Sequence, residues 1–187
     1  LSLGSNGDGT LNDQAASAAP MVDVVAADKD DVAAILYTSG TTGRSKGAML
    51  THNNLGSNAK TLHAAWGFKP GDTLLHALPL FHTHGLFVAI NIMLMNGGKV
   101  ILLPKFDADD VIERLPQSTV LMGVPTFYTR LLSHPGFTKD VTANMRLFVS
   151  GSAPLLAETH DAFFERTGHK ILERYGKTET CMNTSNP

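Results

Sequence analysis

After Asp31 the chain alternates between two hydrophobic periods. Short apolar runs, VAAILYT, TLLHALP, KVILLP, TVLMGV, RLFVSG and KILERY, are each bounded by glycine, proline or polar residues, as buried strands require. Between them lie stretches with helical spacing. In HGLFVAINIMLM, residues Leu86, Phe87, Ile90, Met93 and Leu94 recur at helical intervals, and Gly97 and Gly98 supply the stop. Asp107 is placed to cap ADDVIERL, and Pro125 opens TFYTRLL where a missing N–H costs least. LLAETHDAFFERTG stops at Gly168. The alternation predicts an α/β domain: a largely parallel sheet with flanking helices, and ligands at the carboxyl ends of its strands. The first twenty residues, rich in Gly, Ser, Ala and Asn, predict a linker with at most one short strand. Residues 1–30 are therefore expected to be a linker or partial N-terminal segment, and residues 31–187 the core.

Composition narrows the function classes. A chain of 187 residues, 43% hydrophobic, can bury an ordinary single core. Fifteen basic residues against seventeen acidic ones leave no basic excess to recruit nucleic acid. The longest apolar run, residues 86–95, contains Asn91 and is too short to span a bilayer. The N-terminus shows no charged segment followed by an apolar one, so no secretory signal is read. Cys181 is the single cysteine, which rules out internal disulfides and leads to the expectation of a soluble, cytoplasmic protein.

The stretch YTSGTTGRSKG, residues 37–47, carries the first chemistry. Gly40, Gly43 and Gly47 permit close backbone approach. Thr38, Ser39, Thr41, Thr42 and Ser45 supply hydroxyls, and Lys46 supplies charge. That inventory suits a polyphosphate, although a polar surface turn has a similar composition. A Walker A loop is excluded. Gly40 and Lys46 fit its spacing, but Ser45 stands where the second glycine is required and Gly47 where the Mg²⁺-binding hydroxyl belongs.

YTSGTTGRSKG resembles the phosphate loop of the acyl-adenylate-forming superfamily, which includes acyl-CoA synthetases, luciferases and peptide-synthetase adenylation domains. ERYGKTET, residues 173–180, is similar to that family's Y-G-x-T-E signature, and SGSAPL, residues 150–155, to a third. HALPLFHTHGLF and MGVPTFYTRLL most resemble the malonate–CoA ligase branch. The resemblance implies a two-step reaction: a carboxylate attacks the α-phosphate of ATP, and the thiol of coenzyme A then displaces AMP. The first step needs the leaving pyrophosphate neutralised and the reactants held in line, rather than a strong base. It implies a nucleotide site formed by Thr38, Ser39, Gly40, Thr41, Thr42, Gly43 and Lys46 on the phosphates. Glu173, Gly176 and Thr178 would join that site, with Ser152, Ala153 and Pro154 on one adenine face and Tyr175 on the other. Glu179 would hold Mg²⁺, with Thr38 a weaker metal candidate. Lys46, Thr178, Glu179 and His82 would carry the catalytic roles, and a single carboxylate beside phosphate oxygens suffices for Mg²⁺.

His82 and His84 in FHTH point to one side if that segment is extended. No second His or Cys pair at ligand spacing completes a zinc site. The resemblance implies His82 at the acyl–thioester junction and His84 in the acyl-pocket wall. A diacid substrate needs a cation for its distal carboxylate. Resemblance to the malonate branch selects Arg130, whereas the helical wheel places it on the solvent face, with Arg146 the competing cation. Lys177 departs from the family, which usually holds an apolar residue there, and points either into the acyl pocket or out to solvent.

By the resemblance, a ribose-binding aspartate, a hinge and a small C-terminal domain would follow Pro187, and further large-domain residues would precede the segment. The polypeptide by itself is therefore expected to be inactive. Two alternatives stand beside malonate activation: a sister ligase for a monocarboxylic acid, and a non-catalytic nucleotide-binding remnant. Nothing in the sequence sets an oligomeric state.

Overall fold

The computed structural model describes residues 1–4, 6–21, 23–38 and 44–186. Its centre is a six-stranded sheet in the order β4-β3-β5-β6-β7-β8. The strands are β3 (Thr73–His76), β4 (Lys99–Leu102), β5 (Val120–Gly123), β6 (Leu147–Ser150), β7 (Ile171–Lys177) and β8 (Cys181–Ser185). β4, β3, β5, β6 and β7 are mutually parallel, and β8 closes one edge antiparallel to β7. Each parallel run begins and ends near the position expected from its apolar content.

The two-residue period of each strand sorts its side chains onto two faces. Leu74, Val120, Met122, Leu147 and Val149 face one side, where Ala59, Leu62 and Trp66 come from α2 (His52–Ala65) and its end, and Ile92 and Met93 from α3 (Asn91–Asn96). Leu75, Leu121, Phe148 and Ile171 face the other side. There they meet Val111 of α4 (Ala108–Arg114), Tyr128 and Leu131 of α5 (Pro125–Leu132) and Phe163 of α6 (Ala157–Thr167). Phe163 packs edge-on against Phe148 at 4.9 Å and Tyr128 at 5.5 Å. Fully burying one such ring is worth about 1.5–3 kcal/mol.

Local signals set the helix ends. The Asp107 carboxylate accepts from the Asp109 N–H at 3.0 Å and starts α4. Thr51 and Asn54 form a reciprocal capping box at the start of α2. Gly97 (φ 65°) and Gly168 (φ 78°) end α3 and α6 in the left-handed conformation.

The amino edge of the sheet is locked by charge. Arg146, just before β6, donates from Nε to Asp72 Oδ1 at 2.7 Å, and its Nη2 binds Asp72 Oδ2. Asp72 also accepts from Lys69 N–H (2.7 Å) and the Thr119 hydroxyl (3.0 Å). Burial raises the Asp72 pKa, but these donors outweigh it, and the carboxyl lies below its ordinary value.

Four expectations are corrected. Residues 10–17 form an exposed helix, α1 (Thr10–Ser17), where at most a strand was anticipated. β1 (Val32–Thr38) stays out of the parallel sheet. It pairs antiparallel with β2 (Lys46–Thr51), so the glycine-rich stretch joins a hairpin rather than following a central strand. β2, β8 and α2 were not anticipated; their apolar content is slight, and they are held by partners instead. Asn58 of α2 donates to the Met182 carbonyl (3.0 Å), and the Trp66 indole donates to Ser185 Oγ (2.9 Å). FHTH is not extended: it is a turn that enters a π-helical segment, His84–Ile90, with Gly85 lying where a Cβ would strike the Pro79 carbonyl.

Candidate functional site: a cationic cleft at the carboxyl edge

A cleft of about 1070 Å³ opens at the carboxyl ends of β3, β5, β6 and β7. Strand geometry brings its walls together. The turn after β3 supplies His82 and His84, Val124 follows β5, Ser152 follows β6, and Arg174 lies within β7. The floor toward β4 is apolar, with Leu102, Leu103 and Phe106. Lys105, Arg174 and Lys177 line the cleft, and no aspartate or glutamate does so among the described residues. Such a wall favours an anion.

Arg174 is the centre of this charge. It is 5% exposed and has no carboxylate partner among the described residues, although buried arginines are ordinarily paired. Burial lowers its pKa to about 10, with Tyr128 opposing, so it stays charged at neutral pH. Nη2 donates to Ser152 Oγ at 3.3 Å, and Nε has no partner. Gly151 makes room for it, because a Cβ there would collide with the guanidinium. Ser152 itself holds φ 68°, a left-handed conformation costing about 1 kcal/mol in a residue with a side chain. That strain turns the chain sharply and aims the hydroxyl between Arg174 and His84, whose Nδ1 lies 3.5 Å away.

The two histidines of FHTH separate. His84 is buried, and its Nε2 is unpartnered. Burial first, then Arg174 and His76, holds its pKa well below the ordinary value. His82 is exposed on the same cleft, its ring 4.7 Å from that of Phe81. His76 ends β3 with no exposed surface; it approaches the Leu78 backbone, yet neither ring nitrogen makes a hydrogen bond of normal geometry.

A second, smaller cavity of about 360 Å³ adjoins the cleft across Ser152 and Arg174. Ala153, Pro154, Glu173, Tyr175, Gly176, Thr184 and Asn186 complete it. Glu173 braces its wall by accepting from the Leu155 N–H at 2.8 Å. Tyr175 is 53% exposed rather than packed in the core, leaving its ring face available to a flat ligand. Thr178 lines the large cleft, while Glu179 lies exposed in the turn between β7 and β8. Glu179 has no ion-pair partner among the described residues, and no cluster of three metal-ligating side chains occurs among them.

Ser39, Gly40, Thr41, Thr42 and Gly43 fall outside the described residues. The hairpin register sets Thr38 opposite Lys46, with Thr38 Oγ1 donating to the Lys46 carbonyl at 3.5 Å, so both anchor the base of that loop. Arg130 is exposed, as the helical wheel indicates, and lies 4.7 Å over the Phe106 ring, outside the cleft lining. Arg146 is committed to Asp72 at the opposite edge. Lys177 is exposed at the cleft rim. Arg174 was missed as a site residue; its one signal was a charged residue inside KILERY, a run otherwise suited to a buried strand.

The chain belongs to the AMP-binding enzyme family, which it matches over residues 4–187. It is 41% identical over 175 residues to the mitochondrial malonate–CoA ligase ACSF3 of Mus musculus, covering 85% of this chain and 30% of that protein. Among solved structures it resembles ATP-bound MatB from Rhodopseudomonas palustris, with 60% identity and a TM-score of 0.95, over 99% of this chain and 37% of that one. A malonyl-CoA ligase ternary product complex with methylmalonyl-CoA and AMP bound is 41% identical, with a TM-score of 0.83, over 89% of this chain and 37% of that one. The chain thus spans about a third of the length of these relatives. Among the described residues no helix is long and apolar enough to cross a membrane.

Proposed function

We propose that the protein activates malonate: the acid and ATP give malonyl-adenylate and pyrophosphate, and coenzyme A then gives malonyl-CoA and AMP. The observation that carries this reading is Arg174, a buried guanidinium without an acid partner among the described residues, in a cleft lined by cations. A distal carboxylate would supply the missing charge, held by Arg174 and the Ser152 hydroxyl. Arg130 would lend a second, weaker positive field from behind Phe106. The reacting carboxylate would then point across Ser152 toward the smaller cavity. There Tyr175 and the Ser152-Ala153-Pro154 turn would flank an adenine.

The catalytic part of this reading is positional. His82, exposed on the cleft wall, would stand beside the reacting carboxyl, and Thr178 and Lys46 would contact phosphate oxygens, with Thr38 and residues 39–43 around them. Glu179 fits Mg²⁺ because its carboxylate is exposed and unpaired among the described residues beside the cleft. When bound, that ion would neutralise charge developing on pyrophosphate. The single cysteine supports a reducing compartment, the cytoplasm on the sequence reading, whereas the mouse relative's own name places that protein in mitochondria.

A second reading, a ligase for longer monocarboxylic acids, draws on the apolar floor of Leu102, Leu103 and Phe106. ATP–pyrophosphate exchange by the protein at its full natural length, across a panel of acids, separates the two. Malonate should lead the panel. Exchange led by medium-chain monocarboxylates would establish the second reading instead.

A further inference from the structure

In the cleft wall and just beneath it lies a polar cluster with an unusual balance. Thr83 Oγ1, His84 Nε2, Ser150 Oγ, Arg174 Nε and both ring nitrogens of His76 are buried without a hydrogen-bond partner among the described residues. Proteins ordinarily satisfy such atoms, since each one left bare costs about 1–3 kcal/mol. Thr83, His84 and Arg174 share the cleft wall, His76 lies close enough to His84 to act on its charge, and Ser150 ends β6 two residues before Ser152.

The histidines give the cluster a property that a second arginine would not. Arg174 and His84 meet at one hydroxyl: Ser152 Oγ lies 3.3 Å from Nη2 of the first and 3.5 Å from Nδ1 of the second. A proton on His84 faces a guanidinium in a buried setting. A carboxylate docked on Arg174 and Ser152 cancels the guanidinium's repulsion and would set an anionic oxygen on the side that His84 Nδ1 faces.

We propose that His84 takes up a proton as a carboxylate docks on Arg174, so that recognition of a diacid at this cleft is proton-coupled. This inference rests on the diacid reading above. It agrees with the low pKa of His84, caused first by burial and then by Arg174 and His76.

Among the described residues the acid on the surrounding elements is Glu173 of β7, which accepts from the Leu155 N–H in the smaller cavity. β3 presents His76, β7 presents Arg174 with Tyr175 and Lys177 further along the strand, α5 presents Tyr128 to Arg174, and β8 presents Cys181, whose thiol burial pushes up. β5 carries no titratable residue, and β6 with its following turn offers only Ser150 and Ser152. α3 carries none either; α2, which also packs on the π-helical segment, has His52, Lys60 and His63, the last bonded to Asn96. His82, Lys105 and Lys177 complete the cleft wall.

The sign follows from linkage. A group neutral when free and protonated when bound makes affinity rise as pH falls between its two pKa values, by up to about tenfold per pH unit. The experiment is calorimetric titration of malonate into the protein at its full natural length, at pH 6.5, in two buffers of different ionisation enthalpy. The expected result is a difference in heat that reports net proton uptake, present with malonate and absent with propionate. His84→Gln, which cannot titrate but still hydrogen-bonds, should bind malonate without that difference. Malonate's own ionisation is common to both proteins and cancels in the comparison. Normal malonate binding with equal heats in both buffers overturns the proton coupling and leaves the diacid reading standing. Uptake that persists in His84→Gln assigns the proton elsewhere and overturns it as well. Absence of malonate binding at every pH overturns the diacid reading, and this inference with it.

Discussion

Arg174 Nη2 donates to Ser152 Oγ across 3.3 Å, tying the middle of β7 to the strained residue that turns the chain away from β6. The contact depends on a third residue, because the guanidinium occupies the space a Gly151 side chain would need. At the amino edge of the same sheet, Arg146 is fully paired with Asp72. One edge of the sheet therefore spends its arginine on stability, and the other keeps one free of any acid among the described residues.

Gly151→Ala should push the Arg174 guanidinium out of position. Malonate-dependent pyrophosphate exchange should fall at least about tenfold, the worth of one charge-assisted hydrogen bond, while propionate-dependent exchange holds. Equal loss for both acids would point to a general distortion of the turn.

Arg130→Leu tests the residue that family resemblance favoured. Its exposed guanidinium acts through solvent and across Phe106, so malonate should lose several-fold relative to propionate, less than when Arg174 is removed. Equal losses on both acids would reduce its role to stacking on Phe106.

Much of the fold was legible because burial writes itself into strands. Leu74-Leu75, Val120-Leu121-Met122 and Leu147-Phe148-Val149 are apolar on both faces, which only a covered parallel sheet requires. Helix stops at Gly97 and Gly168 were equally plain. α2 was not, since only Leu55, Ala59 and Leu62 are buried among asparagines and a glycine. β8, CMNTS, is polar and gains its place from α2 and β7. The cleft was legible as loop chemistry, but the contact among His84, Ser152 and Arg174 joins residues 22 to 90 positions apart and has no local sequence signal.

Asp72→Asn should lower stability by about 3 kcal/mol at neutral pH, the low end for breaking a buried pair, because Arg146 is partly exposed. Asp72 has a lowered folded-state pKa, so its contribution is complete above its unfolded value, about 3.9. That contribution disappears as pH falls through the folded pKa. Denaturant midpoints of the native and substituted chains should converge below pH 4. A constant gap down to pH 2 would contradict the ion-pair assignment.

Glu179→Gln should abolish pyrophosphate exchange at low Mg²⁺ while leaving the thermal unfolding midpoint in place, since Glu179 is exposed in a turn. Unchanged exchange at low Mg²⁺ would remove Glu179 from metal binding.

Diacid selection by Arg174 is tested most directly by Arg174→Leu in the protein at its full natural length, comparing kcat/KM for malonate and propionate in pyrophosphate exchange. Removing the buried guanidinium leaves a distal carboxylate unpaired, at a cost of roughly 2–4 kcal/mol. The malonate-to-propionate ratio should therefore fall by a factor of about 30 to 1000, with ATP affinity unchanged. A ratio that stays within twofold of the native value would contradict the assignment of this cleft to a diacid.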